Sequence, residues 1–161
     1  FIPLVDCIAR GETFASQADD ENALARAIES SCPQGTIYEK QAVAWAIRNR
    51  ARALEIPIAH LLCPEGTCGP RGTGKRKYAS TERSAGDVSQ KIARAVLRLP
   101  QEWDPTGDAI DFWNPGQQDR AATIAAATGN STVVNANDAR AALAEAGLHP
   151  TGSVGEVELL A

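Results

Sequence analysis

Apolar residues return at a helical period in three separate stretches of the chain, and this recurrence limits the fold more than any other feature. Leu24 and Ile28 mark the first stretch. Val43, Ile47, Ala51 and Leu54 mark the second, and Val88, Ile92, Ala95, Val96 and Leu99 the third. Steps of three and four place such residues on one face of an α-helix, and each face needs a partner to bury it. Aromatic residues are only 5% of the sequence against 43% hydrophobic overall, so Ala, Val, Ile and Leu must fill the core. Abundant alanine favours helix in its own right. Asp19 or Asp20 can cap the first helix, which runs through Glu29 and is interrupted by Pro33, Gln34 and Gly35. The second helix spans about Ile37 to Leu54. Asp87 caps the third, and Pro100 stops it.

Weaker signals fill the remainder. Ala109–Trp113, Thr132–Val134 and Val154–Leu160 read as short strands. Gln117–Thr128 reads as an alanine-rich helix ending at Gly129, and Asn137 caps a further helix to Ala146, closed by Gly147. Residues 1–19 read as an extended arm and loop, and 63–85 as a long Gly- and Pro-rich loop. The expected class is mainly α with a small β-sheet (α+β), in one domain of 161 residues.

Charge and cysteine usage narrow the setting. A net charge of -4 argues against duplex nucleic acid as the partner, because neutralising phosphates needs a basic footprint. No apolar run reaches the ~18 residues of a membrane span, and no signal-peptide core is visible. The chain begins at Phe1 and lacks methionine, as expected of a processed product or an engineered form, from which any export signal would already be gone. Cys7, Cys32, Cys63 and Cys68 allow two disulfides in three pairings. Cys63 and Cys68 bracket a short turn and could close on each other, and Cys7 with Cys32 would then tie the arm to the first helix. Disulfides imply periplasm or the cell exterior, whereas two buried free thiols are the plainer reading. A zinc site with His60 or His149 has loose spacing and no second tight ligand pair, so no metal and no cofactor is expected.

Several motifs fail on chemistry. Gly69-Pro-Arg-Gly-Thr-Gly74-Lys75 resembles a phosphate-binding loop, but Arg76 stands where the magnesium-binding hydroxyl belongs. The basic run Arg71, Lys75, Arg76 and Lys77 reads as a solvated cluster, or as a surface for an anionic polymer. There is no Gly-x-Ser-x-Gly elbow, and His60 and His149 sit near prolines as surface residues. Carboxylates hold more promise, because glycosidic cleavage needs a protonated acid beside the bridging oxygen and an apolar cleft raises a carboxyl pKa. On the first helix, position 31 follows Leu24 by seven residues and returns to almost the same angle, whereas Glu29 lies far round and outward. The inward position holds Ser31.

Three stretches together resemble the SleB-type (spore-cortex-lytic) cell wall hydrolases of the lysozyme-like superfamily. They are Leu24-Ala-Arg-Ala-Ile-Glu-Ser-Ser31, then Gln41-Ala-Val-Ala-Trp-Ala-Ile-Arg-Asn49-Arg50-Ala51, then Asp104-Pro-Thr-Gly-Asp-Ala-Ile-Asp-Phe112-Trp-Asn-Pro115. The resemblance covers about residues 23–120, leaving an N-terminal arm at 1–22 and C-terminal helices and strand at 121–161. It implies a lysozyme-like fold and cleavage of peptidoglycan glycan strands, as a muramidase or lytic transglycosylase, by an exported, monomeric protein without cofactor. In the transglycosylase chemistry one glutamate protonates the leaving oxygen, then acts as base while the muramic acid's C6 hydroxyl closes an anhydro ring. An ungapped count places that glutamate at Ser31; a two-residue shift places it at Glu29. A serine hydroxyl cannot serve as this acid. Three explanations follow: an inactivating substitution, a natural non-catalytic binder of peptidoglycan, or an early helix break that turns Glu29 into the cleft. The resemblance further implies that Tyr78 and Ser80 line the cleft, that Asp104 and Thr106 hold the turn shaping it, and that Phe112 and Asn114 meet sugar. Trp45 and Trp113 could stack on sugar faces, although Trp45 suits the core.

Overall fold

The computed structural model describes residues 14–63, 78–114 and 136–161. The helix expected at 117–128, the strand at 132–134, the Gly-rich stretch 69–75, the basic run, Cys7 and Cys68 lie outside the described residues. The architecture is the expected α+β class. In chain order it comprises α1 (Phe14–Ser31), α2 (Ile37–Ala53), α3 (Ile58–Leu62), α4 (Asp87–Arg98), a 3-10 turn (Gln101–Trp103), β1 (Asp111–Trp113), α5 (Ala136–Glu145), β2 (Pro150–Val154) and β3 (Val157–Leu160). Among the described residues no helix is long and apolar enough to cross a membrane.

Helix α1 packs against α2, α3 and α4, and α2 also meets all three strands. Ala23, Leu24, Ala25, Ala27 and Ile28 are each at most 2% exposed, so burial runs round the helix rather than along one stripe. The helix also starts earlier than Asp19. Asp20 caps a different element: its Oδ1 accepts the Ala59 amide of α3 at 2.8 Å.

Helix α2 opens on a capping box, with Thr36 Oγ1 accepting the Glu39 amide and Glu39 Oε1 accepting the Thr36 amide, at 3.2 and 3.0 Å. Leu54 falls beyond its end and is 48% exposed, because the chain turns at Glu55 (φ 56°). On α4 the N-cap is Gly86, not Asp87; Asp87 is the first helical residue and pairs with Lys91 at 2.9 Å. The stripe that α4 buries is Ser89, Ile92, Ala93 and Val96, while Val88 and Ala95 face outward. Arg48 ties α2 to the far end of α4, donating to the Val96 and Leu99 carbonyls, both at 2.6 Å.

The sheet is antiparallel in the order β1-β3-β2. The terminal strand expected over Val154–Leu160 is instead a hairpin, with Gly155 and Glu156 as its two-residue turn. Gly155 has φ 57°, and a Cβ there would lie 2.8 Å from Glu39 Cδ. Glu39 Oε2 also accepts the Glu156 amide at 3.3 Å, so one side chain caps α2 and fastens the hairpin to it. Gly155→Ala combines left-handed strain with this overlap. We expect it to lower stability by about 1–3 kcal/mol in urea unfolding. A loss below about 0.5 kcal/mol would show that the hairpin is not held as tightly as this contact requires.

A smaller cluster of Trp113, Ala139, Ala142, Leu143 and Leu160 joins α5 to the sheet. Trp113 Nε1 donates to Glu158 at 3.2 Å, and Arg140 covers the indole and pairs with the same carboxylate.

Candidate functional site

The last turn of α1 places Glu29, Ser30 and Ser31 where α2 and α4 begin. Glu29 does not face outward as a single-stripe reading of α1 requires. With neighbours on several sides, a residue far from Leu24 still meets one. Its Oε2 accepts Lys40 Nζ of α2 at 3.0 Å and Ser89 Oγ of α4 at 2.8 Å, and Lys40 Nζ also reaches Ser89 Oγ at 3.3 Å. The side chains of Lys40 and Glu29 are 7% and 23% exposed, and Ser89 is 1% exposed. Burial alone would raise the Glu29 pKa. The hydrogen bonds from Lys40 and Ser89, the Lys40 charge and the Gly86 amide outweigh it, and the carboxyl is held below its ordinary value. Glu29 is therefore an ionised carboxylate joining three helices, which is the wrong protonation state for a general acid near neutral pH. The helix does not break before it, so that route to an inward catalytic Glu29 closes. Ser31, the last residue of α1, is half-buried, and its side chain makes no hydrogen bond among the described residues.

Lys40 and Ser89 were legible but overlooked. Lys40 precedes Val43 by three residues and Ile47 by seven. Ser89 stands in the same relation to Ile92 and Val96. Each is a polar residue at the head of a buried stripe, which calls for a buried partner.

The second and third motif stretches meet further along α2. Asn49, 6% exposed, donates to Asp104 Oδ2 at 2.9 Å and to the Ala109 carbonyl at 3.0 Å, and its Oδ1 accepts Gln101 Nε2 at 2.8 Å. Asp104 Oδ1 accepts the Thr106 amide and hydroxyl at 2.8 and 2.6 Å, and Asp104 Oδ2 accepts the Asp108 amide at 3.1 Å. Burial pushes the Asp104 pKa up, but the bonds from Thr106, Asn49 and Asp108 prevail and hold it below the usual range. Asp104 and Thr106 thus hold the turn, and Asp104 also ties it to Asn49 of α2.

Nine residues of helix, about 13 Å, separate Lys40 from Asn49. Segment 78–86 bonds to the elements around both. At one end Tyr78 donates its hydroxyl to the Ile110 carbonyl at 2.6 Å. Arg26 holds the middle, donating to the Thr81 and Glu82 carbonyls at 2.8 and 3.2 Å. At the other end the Arg83 amide donates to Ser30 Oγ at 3.0 Å. A continuous strip thus runs from the end of α1 to β1.

Tyr78, Thr106 and Phe112 are buried, at 9%, 6% and 5% exposure, and the two rings pack edge to face with centroids 6.1 Å apart. The rings of Tyr78 and Phe112 belong to the main hydrophobic core. Ser80 and Asn114 are half-buried. Ser80 Oγ accepts the Glu82 amide at 3.4 Å, and Asn114 is also engaged in an interaction. Trp45 and Trp113 are both 2% exposed, which removes them as sugar platforms.

Cys32 is a free, buried thiol whose Sγ lies 3.4 Å from the Ile28 carbonyl of its own helix, and burial pushes its pKa up to about 11. A Cys7–Cys32 bridge is thereby overturned, since the thiol is turned back into the core. Cys63 is disulfide-bonded. His60 and His149 are exposed, His60 on α3 rather than in a loop. Among the described residues no group of three His, Cys, Asp or Glu stands together to hold a metal.

No family model, no curated protein and no solved structure matches this chain.

Proposed function

We propose that this is an exported domain for peptidoglycan glycan strands, of the muramidase or lytic transglycosylase kind, with the seat of its general acid at position 31. With serine there, it binds the strand without cutting it. The observation that carries the reading is the strip of residues 78–86, bonded to Ile110 at one end and to Ser30 at the other, which joins the helix end bearing position 31 to the Asp104–Asn114 stretch. The binding form of the reading is favoured by Glu29, whose ion pair with Lys40 keeps it deprotonated and so leaves the helix end without a proton donor. No metal or cofactor enters the scheme.

The test is co-sedimentation with purified sacculi, followed by analysis of the soluble fraction. We expect saturable binding with neither anhydro-muropeptides nor new reducing ends released. Release of either product by the unaltered chain would show that a proton donor other than residue 31 operates. Absence of binding would remove peptidoglycan as the ligand.

A further inference from the structure

We infer that Arg83, backed by Arg26, forms a subsite for the carboxylates of the peptide stems carried by the glycan strand; this rests on the reading just given. The Arg83 amide is pinned to Ser30 Oγ at 3.0 Å, which fixes this residue beside the end of α1 next to position 31. Its side chain is exposed, and no carboxylate pairs with it among the described residues. Arg26 lies one helical turn before Ser30. Its guanidinium donates to two neutral backbone carbonyls, those of Thr81 and Glu82, so its charge is oriented but not cancelled. Arg94 and Arg140, by contrast, are matched to Glu21 and Glu158. Glu29, the nearest carboxylate on α1, is committed to Lys40, and Glu82 is the one acidic side chain within the strip itself. The end of the strip near position 31 is therefore locally cationic on a chain of net charge -4.

A bare glycan offers neutral hydroxyls and acetamides to such a surface. Peptide stems add carboxylates, which a guanidinium binds through paired hydrogen bonds. The charge complementarity thus selects stem-bearing strands over bare ones.

The experiment compares binding to intact sacculi with binding to glycan strands stripped of their stems by an amidase, at low ionic strength. The unaltered chain should bind the intact material more tightly. Arg83→Gln should weaken binding to intact sacculi by about twofold to fivefold, the scale of one exposed charge pair, and leave binding to stripped strands unchanged. Arg83→Lys should retain part of the preference, and added salt should erase it. Because the Arg83 side chain is exposed, circular dichroism of the variants should match the parent. Equal binding of the parent to both materials, or an Arg83→Gln variant that holds intact sacculi as tightly as the parent, would overturn the subsite while leaving peptidoglycan binding in place. A parent that binds neither material overturns both proposals.

Discussion

Lys40→Met is expected to lower stability by about 3 kcal/mol, the lower end of the range for breaking a buried ion pair from one side. The lower end applies because the Glu29 side chain keeps 23% of its exposure and can recover some hydration, whereas Lys40 keeps 7%. The loss comes less from the attraction removed than from the carboxylate left behind. Ser89 adds to it: its hydroxyl is 1% exposed and bonds only within this cluster. Replacing all three together, Glu29→Leu with Lys40→Met and Ser89→Ala, should return most of the stability, since an apolar set of similar volume needs no partners. Urea unfolding midpoints read both variants. A single Lys40→Met change costing less than about 1 kcal/mol would mean that the pair is not what holds α1, α2 and α4 together.

The parent and the triple variant also report on pH. Glu29, Glu39 and Asp104 all have folded-state pKa values below their ordinary ones. A depressed carboxyl pKa gives stability that is fully present above the unfolded value and is lost as pH falls through the folded one. Each of the three sits at a joint. Glu29 joins three helices, Glu39 joins α2 to the hairpin, and Asp104 joins α2 to the turn before β1. The parent should therefore weaken as pH drops below about 4.5, and the triple variant should weaken less steeply because one joint no longer titrates.

The helices were readable because period and boundary agree. Pro33 and Gly35 close α1, and the observed limits of α2 and α4 fall within one residue of those read from the apolar spacing. The Asp104–Thr106 turn was readable for a local reason, since an aspartate bonding its own backbone two residues on needs nothing distant. Glu29 was misread because the amphipathic rule assumes one buried face, and α1 has helices on several sides. The hairpin was missed because Glu156–Leu159 alternates like part of a single strand, although Gly155 carries the signature of a two-residue turn. The Asn49–Asp104 bond could not be read at all. It spans 55 residues of chain and exists only once α2 and the turn have packed. The buried Tyr78 and Phe112 show the same limit, because an aromatic ring in a motif has no label for core or surface.

Ser31→Glu is expected to create glycan-strand cleavage where the parent has none, with a gain on the order of 10²–10⁴ above background, the contribution typical of a positioned general acid. The argument is electrostatic. A serine hydroxyl cannot hand over a proton to the bridging oxygen near neutral pH, and Glu29 cannot substitute for it while Lys40 keeps it ionised. A glutamate at 31 would stand half-buried at the end of α1. Partial burial raises a carboxyl pKa, and a raised pKa is what a proton donor needs. Ser31→Gln supplies the control, with nearly the same shape but no proton to give. It should bind sacculi like the parent and release nothing. Product analysis then assigns the reaction: anhydro-muramic ends mark ring closure by the C6 hydroxyl, and reducing ends mark attack by water. A Ser31→Glu protein that folds, holds sacculi as firmly as the parent and still liberates no muropeptides would show that the proton donor of this fold was never seated at position 31.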